Sequence, residues 1–95
     1  MAHVYILYSP KADKYYTGSC RDLSERLRDH KSKKYADSYT AMLGDDWSLY
    51  VQIDDLGYEQ ARSIEAHIKK MKSRTYIENL KLYPEIVEKL KSKYQ

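Results

Sequence analysis

The chain has 95 residues, of which 33% are charged and 42% are hydrophobic, and its formal net charge is +3. This composition is typical of a soluble globular protein and excludes a disordered chain. At this length we expect one domain with a thin core, and the mild positive charge permits nucleic-acid binding without requiring it.

Two strands joined by a turn are predicted near the start of the chain. The apolar run Val4–Tyr8 is rich in strand-forming residues and predicts a strand buried on both faces. The segment Ser9–Lys14 predicts a turn, and Tyr15–Gly18 predicts a second strand, so that the two strands form a hairpin. Gly18 is expected to end the second strand, at a point where the backbone turns.

A helix is predicted after the hairpin. Asp22 and Glu25 have the spacing of a capping box, with Asp in place of Ser or Thr, and the helix is expected to run to about Lys33. The polar stretch that follows is harder to assign, although Tyr39–Leu43 fits a short second helix. Alternation of apolar and polar residues then predicts a third strand over Leu49–Ile53.

Three helices are predicted in the second half of the chain. The clearest spans about Tyr58–Met71, because its apolar residues form one continuous stripe. These residues are Ala61, Ile64, Ile68 and Met71. Ser73 is expected to cap a following helix, and Pro84 to lie in the first turn of a last helix. The order of elements predicts an α+β fold, a small, three-stranded, mostly antiparallel sheet flanked by helices.

Residues 1–95 are interpreted as a single domain, with a core over about residues 3–82 and a C-terminal helix over about 84–94. No apolar run approaches the roughly 20 residues that cross a bilayer, and the first residues lack the pattern of a signal peptide. Cys20 is the single cysteine, which excludes a disulfide framework within the chain. We therefore expect a cytoplasmic protein that does not enter a membrane.

Polar residues that share a face with the predicted core are the informative ones. On the first helix, Arg26 and His30 lie about 60° and about 20° from the apolar Leu23, counted at roughly 100° per residue. On the long helix, Glu65 lies about 40° from Ala61 and therefore on the apolar stripe. All three side chains are thus expected to point inward.

A buried carboxylate at Glu65 is costly unless a cation meets it. One interpretation is therefore a structural ion pair between Arg26 and Glu65, or simple exposure at the edge of the core. The other is a functional site, since Arg26, His30 and Glu65 point toward a sheet that carries Tyr5 and Tyr16. Basic, acidic and phenolic groups that converge on one sheet face are typical of an active site.

Taken in order, these residues resemble the GIY-YIG nuclease superfamily. Val4–Leu7 and Tyr16–Gly18 are similar to the two strand motifs of that superfamily. Arg26 and His30 follow on one helix, and Glu65 follows on a distant helix. The chain looks closest to the short stand-alone members that are related to the N-terminal nuclease domain of the DNA-repair excinuclease.

The resemblance covers about residues 3–80 and includes some departures. His3–Val4 replaces the Gly-Ile of the first motif, and Thr17 replaces the Ile of the second. Many active members carry a late Asn, and Asn79 stands fourteen residues after the glutamate, slightly beyond the usual spacing. Asn79 is therefore interpreted as a helix-surface residue. The basic stretch Lys69–Arg74 resembles the short stand-alone branch, in which that Asn is commonly not kept.

The resemblance implies hydrolysis of phosphodiester bonds in DNA with the help of one divalent metal, Mg²⁺ or Mn²⁺. Glu65 would hold the metal, and Arg26 would stabilise negative charge on the phosphate in the transition state. As general base the resemblance points to Tyr5 or Tyr16, although a free tyrosine has a pKa of about 10 and needs nearby cations. His30 is a chemically easier base, and it would otherwise orient one of the tyrosines.

Basic residues near the predicted helix ends are candidate contacts to a DNA backbone. They are Lys31, Lys33, Lys34, Lys69, Lys70, Lys72 and Arg74. Solvated helix ends are an equally consistent interpretation. His3 and His67 fit no such pattern, and we expect both to be surface residues.

Two functional hypotheses follow from these residues. The first is an active DNA endonuclease, in repair or in the processing of branched DNA. The alternative is a nucleic-acid-binding accessory module with the nuclease fold but little activity alone, in which a protein partner supplies substrate recognition. A structural domain is a third class, and it would treat Arg26 and Glu65 as a plain ion pair.

Overall fold

A computed structural model of the chain describes residues 1–22 and 48–95. The helix predicted after Asp22, including Arg26 and His30, lies outside the described residues. Also outside them lie Lys31, Lys33, Lys34 and the segment Tyr39–Leu43.

The described residues form three strands followed by three helices. In chain order they are β1 (Ala2–Ser9), β2 (Lys14–Cys20), β3 (Ser48–Leu56), α1 (Tyr58–Met71), α2 (Arg74–Leu82) and α3 (Pro84–Lys93). The predicted α+β class with a small antiparallel sheet and flanking helices is confirmed. Within the described ranges, no helix has the length and apolar character needed to cross a membrane.

The sheet has the order β2-β1-β3, and both neighbouring pairs are antiparallel. β1 is the central strand, and Val4, Ile6 and their neighbours in it are buried, as its continuous apolar run predicts. In β3, Val51 and Ile53 are buried opposite Ile6 and Val4. Leu49 lies beyond a register shift and is partly exposed, because the shift breaks the simple alternation that the sequence predicts.

Helix α1 covers the face of the sheet that carries Val4 and Ile6. Its predicted stripe supplies Ala61, Ile64 and Ile68 to the main core, in which all three are buried. Met71 is the exception to the predicted stripe, because it stands in the last turn of α1 and its side chain is exposed.

The two last helices also contribute to this core. The hydroxyl of Ser73 caps α2 by accepting a hydrogen bond from the backbone nitrogen of Tyr76 at 3.1 Å, which confirms the predicted cap. Pro84 stands at the start of α3, as predicted. Leu80 of α2 and Leu90 of α3 are both buried against the core, so α3 packs on the same core as the sheet.

Gly18 does not end its strand as the sequence predicts. β2 continues to Cys20, and Gly18 pairs with Tyr5 across the antiparallel ladder. A Cβ atom at Gly18 would lie 2.5 Å from the hydroxyl oxygen of Tyr5, which is closer than real contacts allow. The glycine therefore makes space for a cross-strand tyrosine rather than for a turn of the backbone.

Candidate active site

Tyr5 and Tyr16 are neighbours on the sheet face opposite α1. Tyr5 alternates with the core residues Val4 and Ile6 along β1, so its side chain points to the other face. It is only 1% exposed, and Tyr16 of β2 packs against the small cluster to which it belongs. The centres of the two rings are 6.3 Å apart and the ring planes are inclined by 40°. The hairpin register thus brings together two tyrosines that the sequence pairs only by resemblance.

Glu65 lies on the side of α1 that faces β2, directly beside the apolar stripe. One of its carboxylate oxygens, Oε1, accepts a hydrogen bond of 2.5 Å from the hydroxyl of Ser19. The other, Oε2, accepts one of 2.7 Å from the ammonium of Lys69, one helical turn further along. The Glu65 side chain is 22% exposed, so it stands at the rim of the core rather than inside it.

The position of β2 at the edge of the sheet explains how Tyr16 and Glu65 come close to each other. Tyr16 and Ser19 point to opposite faces of β2, but on an edge strand both faces border the same rim. The Lys69 ammonium that contacts Glu65 also lies 5.9 Å from the centre of the Tyr16 ring. A phenol, a carboxylate and an ammonium therefore meet at one edge of the sheet.

A groove of about 360 Å³ continues from this rim, between the start of β2 and the junction of α1 with α2. Among its lining residues, Tyr16 and Lys69 belong to the rim just described. Lys14 and Lys72 line it as well, and no ion pair of either is found within residues 1–22 and 48–95. The groove is thus open to an anion, and two of its lysines have no described partner.

Of the basic residues predicted to contact DNA, Lys69 and Lys72 reach this groove. Lys70 lies on the opposite flank of α1, where it lines a separate cavity of about 640 Å³. Lys14 is not among the predicted contacts, because nothing in the sequence shows that the start of β2 faces the end of α1. Its position two residues before Tyr16 is the signal that could have found it.

Arg74 also lines the groove, but its guanidinium is taken up by Asp13. Its Nη1 and Nη2 atoms donate to the two carboxylate oxygens of Asp13 at 3.0 and 2.5 Å, and the Tyr8 hydroxyl donates to the same carboxylate at 2.8 Å. The hydrogen bonds from Arg74 lower the pKa of Asp13 to about 2. This bidentate pair fastens the hairpin turn to the start of α2, which favours a structural role for Arg74.

The two histidines expected on the surface without partners each have one. His67 of α1 shares a hydrogen bond of 2.8 Å between its Nδ1 and the Tyr94 hydroxyl, and burial lowers its pKa, with smaller contributions from Lys93 and Lys70. His3 contacts the carboxylate of Asp54 on β3 at 2.7 Å. The expectation fails because both partners are distant in sequence.

The oxygen donors at the rim fit a hard divalent cation. Glu65 offers one partly exposed carboxylate next to a groove that is lined by cations. Magnesium is commonly held in this way, by one or two carboxylates together with waters and substrate phosphate oxygens. Within the described part of the chain, no group of three or more His, Cys, Asp or Glu residues forms a closed metal cage.

Comparison with known proteins agrees with this arrangement. The family model described as the GIY-YIG catalytic domain matches residues 1–79. Comparisons with curated proteins and with solved structures gave no significant match. The matched segment runs from β1 into α2 and includes Tyr5, Tyr16 and Glu65. The chain therefore belongs to the GIY-YIG family, whose catalytic domain has a nuclease-type fold and endonuclease activity in general, with DNA as the substrate.

Proposed function

We propose that this chain is a Mg²⁺-dependent DNA endonuclease in which Glu65 is the metal ligand. The observation that carries the proposal is the position of the Glu65 carboxylate at the edge of β2. Ser19 holds it there with a 2.5 Å hydrogen bond, at the mouth of a groove that Tyr16 lines. A carboxylate that served only the core would not need to border an open, cation-lined groove.

The metal, when bound, would polarise the phosphate and stabilise the leaving oxygen, and Mn²⁺ would replace Mg²⁺. Arg26 lies outside the described residues, and its proposed role rests on the family resemblance. Its planar, permanently charged fork would pair with phosphate oxygens as negative charge develops in the transition state. Glu65 and Arg26 would thus act on the same phosphate through opposite charges.

Tyr16 is the better placed of the two tyrosines to act as the general base. It is half-buried and lines the groove, whereas Tyr5 is buried behind it. In this proposal the Tyr16 oxygen takes the proton of the attacking water, and Tyr5 keeps the Tyr16 ring in position through their 6.3 Å ring contact. His30, also outside the described residues, is the alternative base or orients the tyrosine.

The groove gives the proposal a path for the DNA backbone. Lys14, Lys69 and Lys72 would contact phosphates, and Lys31, Lys33 and Lys34 would extend the contact if their side of the chain borders the groove. Contacts of this kind give an affinity that falls steeply with salt and carries little sequence preference. We therefore assign substrate choice to DNA structure or to a protein partner, in repair or in the processing of branched DNA in the cytoplasm.

The test is cleavage of supercoiled and branched DNA with Mg²⁺ or Mn²⁺ by the wild type, Glu65→Ala and Glu59→Ala. Glu59 is the matched control, because it is an exposed glutamate in the first turn of the same helix. We expect Glu65→Ala to lose at least ~10²-fold in rate and Glu59→Ala to cleave like the wild type.

Equal activity of wild type and Glu65→Ala would contradict the proposal. A protein that binds DNA with the expected salt dependence but cleaves neither substrate would instead be the accessory module.

A further inference from the structure

Both oxygens of the Glu65 carboxylate are occupied within the chain. Ser19 donates to Oε1 from a strand of the sheet, and Lys69 donates to Oε2 from the same helix. The two donors differ in how easily they can leave. Ser19 is a short side chain on a paired strand, whereas the Lys69 side chain is long, flexible and 53% exposed.

An ion pair of this kind can be exchanged at small cost. Glu65 and Lys69 are four residues apart on one helix, and exposed pairs at this spacing contribute little to stability. A second cation that approaches Oε2 is repelled by the ammonium as long as the ammonium stays there. A divalent metal on Glu65 therefore requires Lys69 to move away.

The groove gives the displaced ammonium a place to go. Lys69 lines the groove beside Lys72, and its ammonium already lies 5.9 Å from the centre of the Tyr16 ring. A DNA phosphate in the groove would supply a new anionic partner within reach of the same side chain. The ammonium would then exchange a carboxylate for a phosphate without leaving the site.

We propose that Lys69 is a movable positioning residue that occupies Glu65 in the absence of metal and transfers its ammonium to a substrate phosphate when the metal binds. This inference rests on the proposed function, because it takes Glu65 as the metal ligand. It predicts that Lys69 weakens metal binding to the free protein and strengthens DNA binding to the metal-loaded protein. A merely structural lysine would do neither.

The first measurement is a calorimetric titration of the full chain with Mn²⁺ in the absence of DNA. We expect Lys69→Met to bind Mn²⁺ about threefold to tenfold more tightly than the wild type, since the competing charge is gone. Lys69→Arg restores a cation and should return to within about twofold of the wild-type affinity. Lys72→Met is the matched control, since it removes a groove lysine that does not contact Glu65, and it should change the affinity by less than about twofold.

The second measurement is the salt dependence of binding to a nuclease-resistant phosphorothioate duplex, followed by fluorescence anisotropy. With Mn²⁺ present, Lys69→Met should reduce the slope of log affinity against log salt by about one, the value for one lost phosphate contact. In EDTA the slope of Lys69→Met should equal that of the wild type, because Lys69 is then held by Glu65.

The outcomes separate this inference from the proposed function. If Glu65→Ala abolishes Mn²⁺ binding while Lys69→Met binds Mn²⁺ like the wild type, the exchange is refuted and the endonuclease proposal stands. A salt slope that Lys69→Met lowers equally with Mn²⁺ and with EDTA would also refute the exchange. If the wild type shows no Mn²⁺ binding that depends on Glu65, the metal role of Glu65 and the exchange both fail.

Discussion

The two flanks of helix α1 are built alike and differ in charge. On the β2 flank, the hydroxyl of Ser19 donates to the carboxylate of Glu65. On the α3 flank, the hydroxyl of Tyr94 shares a hydrogen bond with the imidazole of His67. Lysines and a cavity lie beside each pair. A hydrogen-bonded polar side chain on a core helix is therefore not enough to identify a site.

The difference lies in what each flank can collect. The carboxylate of Glu65 attracts cations and already holds the exchangeable ammonium of Lys69. His67 is held toward its neutral form, because burial and the charges of Lys93 and Lys70 lower its pKa. The β2 flank can therefore recruit a metal and a phosphate, whereas the α3 flank ties a helix to the core.

The largest expected effect tests whether the α3 flank is structural. Leu90→Ala removes a buried core side chain of α3 and should lower the free energy of unfolding by about 2–5 kcal/mol. Leu82→Ala is the control, because that side chain is 66% exposed, and it should cost less than about 1 kcal/mol. Urea unfolding measures both. Similar losses for the two variants would mean that α3 does not pack on the core.

Gly18→Ala tests the strand that supports the β2 flank. The added Cβ would meet the Tyr5 hydroxyl at 2.5 Å, so we expect a loss of about 1–3 kcal/mol in stability together with reduced cleavage. Gly57→Ala is the control, since its Cβ would have only ordinary contacts at 3.9 Å or more. The result would contradict this packing if Gly18→Ala melted at the wild-type temperature and cleaved DNA at the wild-type rate.

Ser19→Ala and Tyr94→Phe remove one hydroxyl from each flank and make the comparison direct. Each variant loses one hydrogen bond and should lose about 0.5–1.5 kcal/mol of stability. Only Ser19→Ala should also slow cleavage, by severalfold, because only Ser19 positions Glu65. Thermal unfolding and nicking rates, measured on the same preparations, give both numbers. Equal cleavage rates for the two variants would remove the functional distinction between the flanks.

The α3 flank should also make stability depend on pH near neutrality. The pKa of His67 in the folded protein is lower than the ordinary value of 6.5, so the unfolded chain binds more protons between the two values. The contribution of His67 is therefore fully favourable above about pH 6.5 and declines as the pH falls through the folded value. His67→Gln should flatten the curve of melting temperature against pH in this region. An unchanged curve would show that the imidazole does not report on folding.

The smallest effect concerns the hairpin tie at the groove. The pKa of Asp13 is about 2 in the folded protein, below its ordinary value of 3.8, because Arg74 donates to the ionised carboxylate. The resulting stability is present above about pH 4 and is lost as the pH falls toward 2. Asp13→Asn should remove this part of the acid dependence in a melting series from pH 5 to about pH 2. An identical acid profile would leave the tie without energetic weight.

Local sequence patterns predict most of the described fold. The apolar run of β1, the stripe of α1, the Ser73 cap and the position of Pro84 each depend on residues that are close in sequence, and each is found as predicted. Glu65 is also predictable, because helical spacing alone places it beside the stripe. These features follow from short-range geometry.

Long-range contacts explain what the sequence does not predict. The space that Gly18 leaves for Tyr5, the Arg74–Asp13 pair and the Tyr94–His67 bond join residues from 13 to 61 positions apart, so only the folded chain brings them together. The closeness of Tyr16 to Glu65 depends on β2 being an edge strand, which residue spacing does not encode. The roles of Arg26 and His30 remain predictions.

Helix α3 separates two boundaries that are often assumed to coincide. The segment shared with the family ends at residue 79, and Leu80 and Leu90, which lie beyond it, are buried in the same core as β1 and α1. Gln60 of α1 also donates to the backbone carbonyl of Lys91 at 3.0 Å. A fragment trimmed to the homologous segment would keep Tyr5, Tyr16 and Glu65 but lose part of the wall behind them. For protein engineering, the unit to transplant is therefore longer than the unit that homology detects.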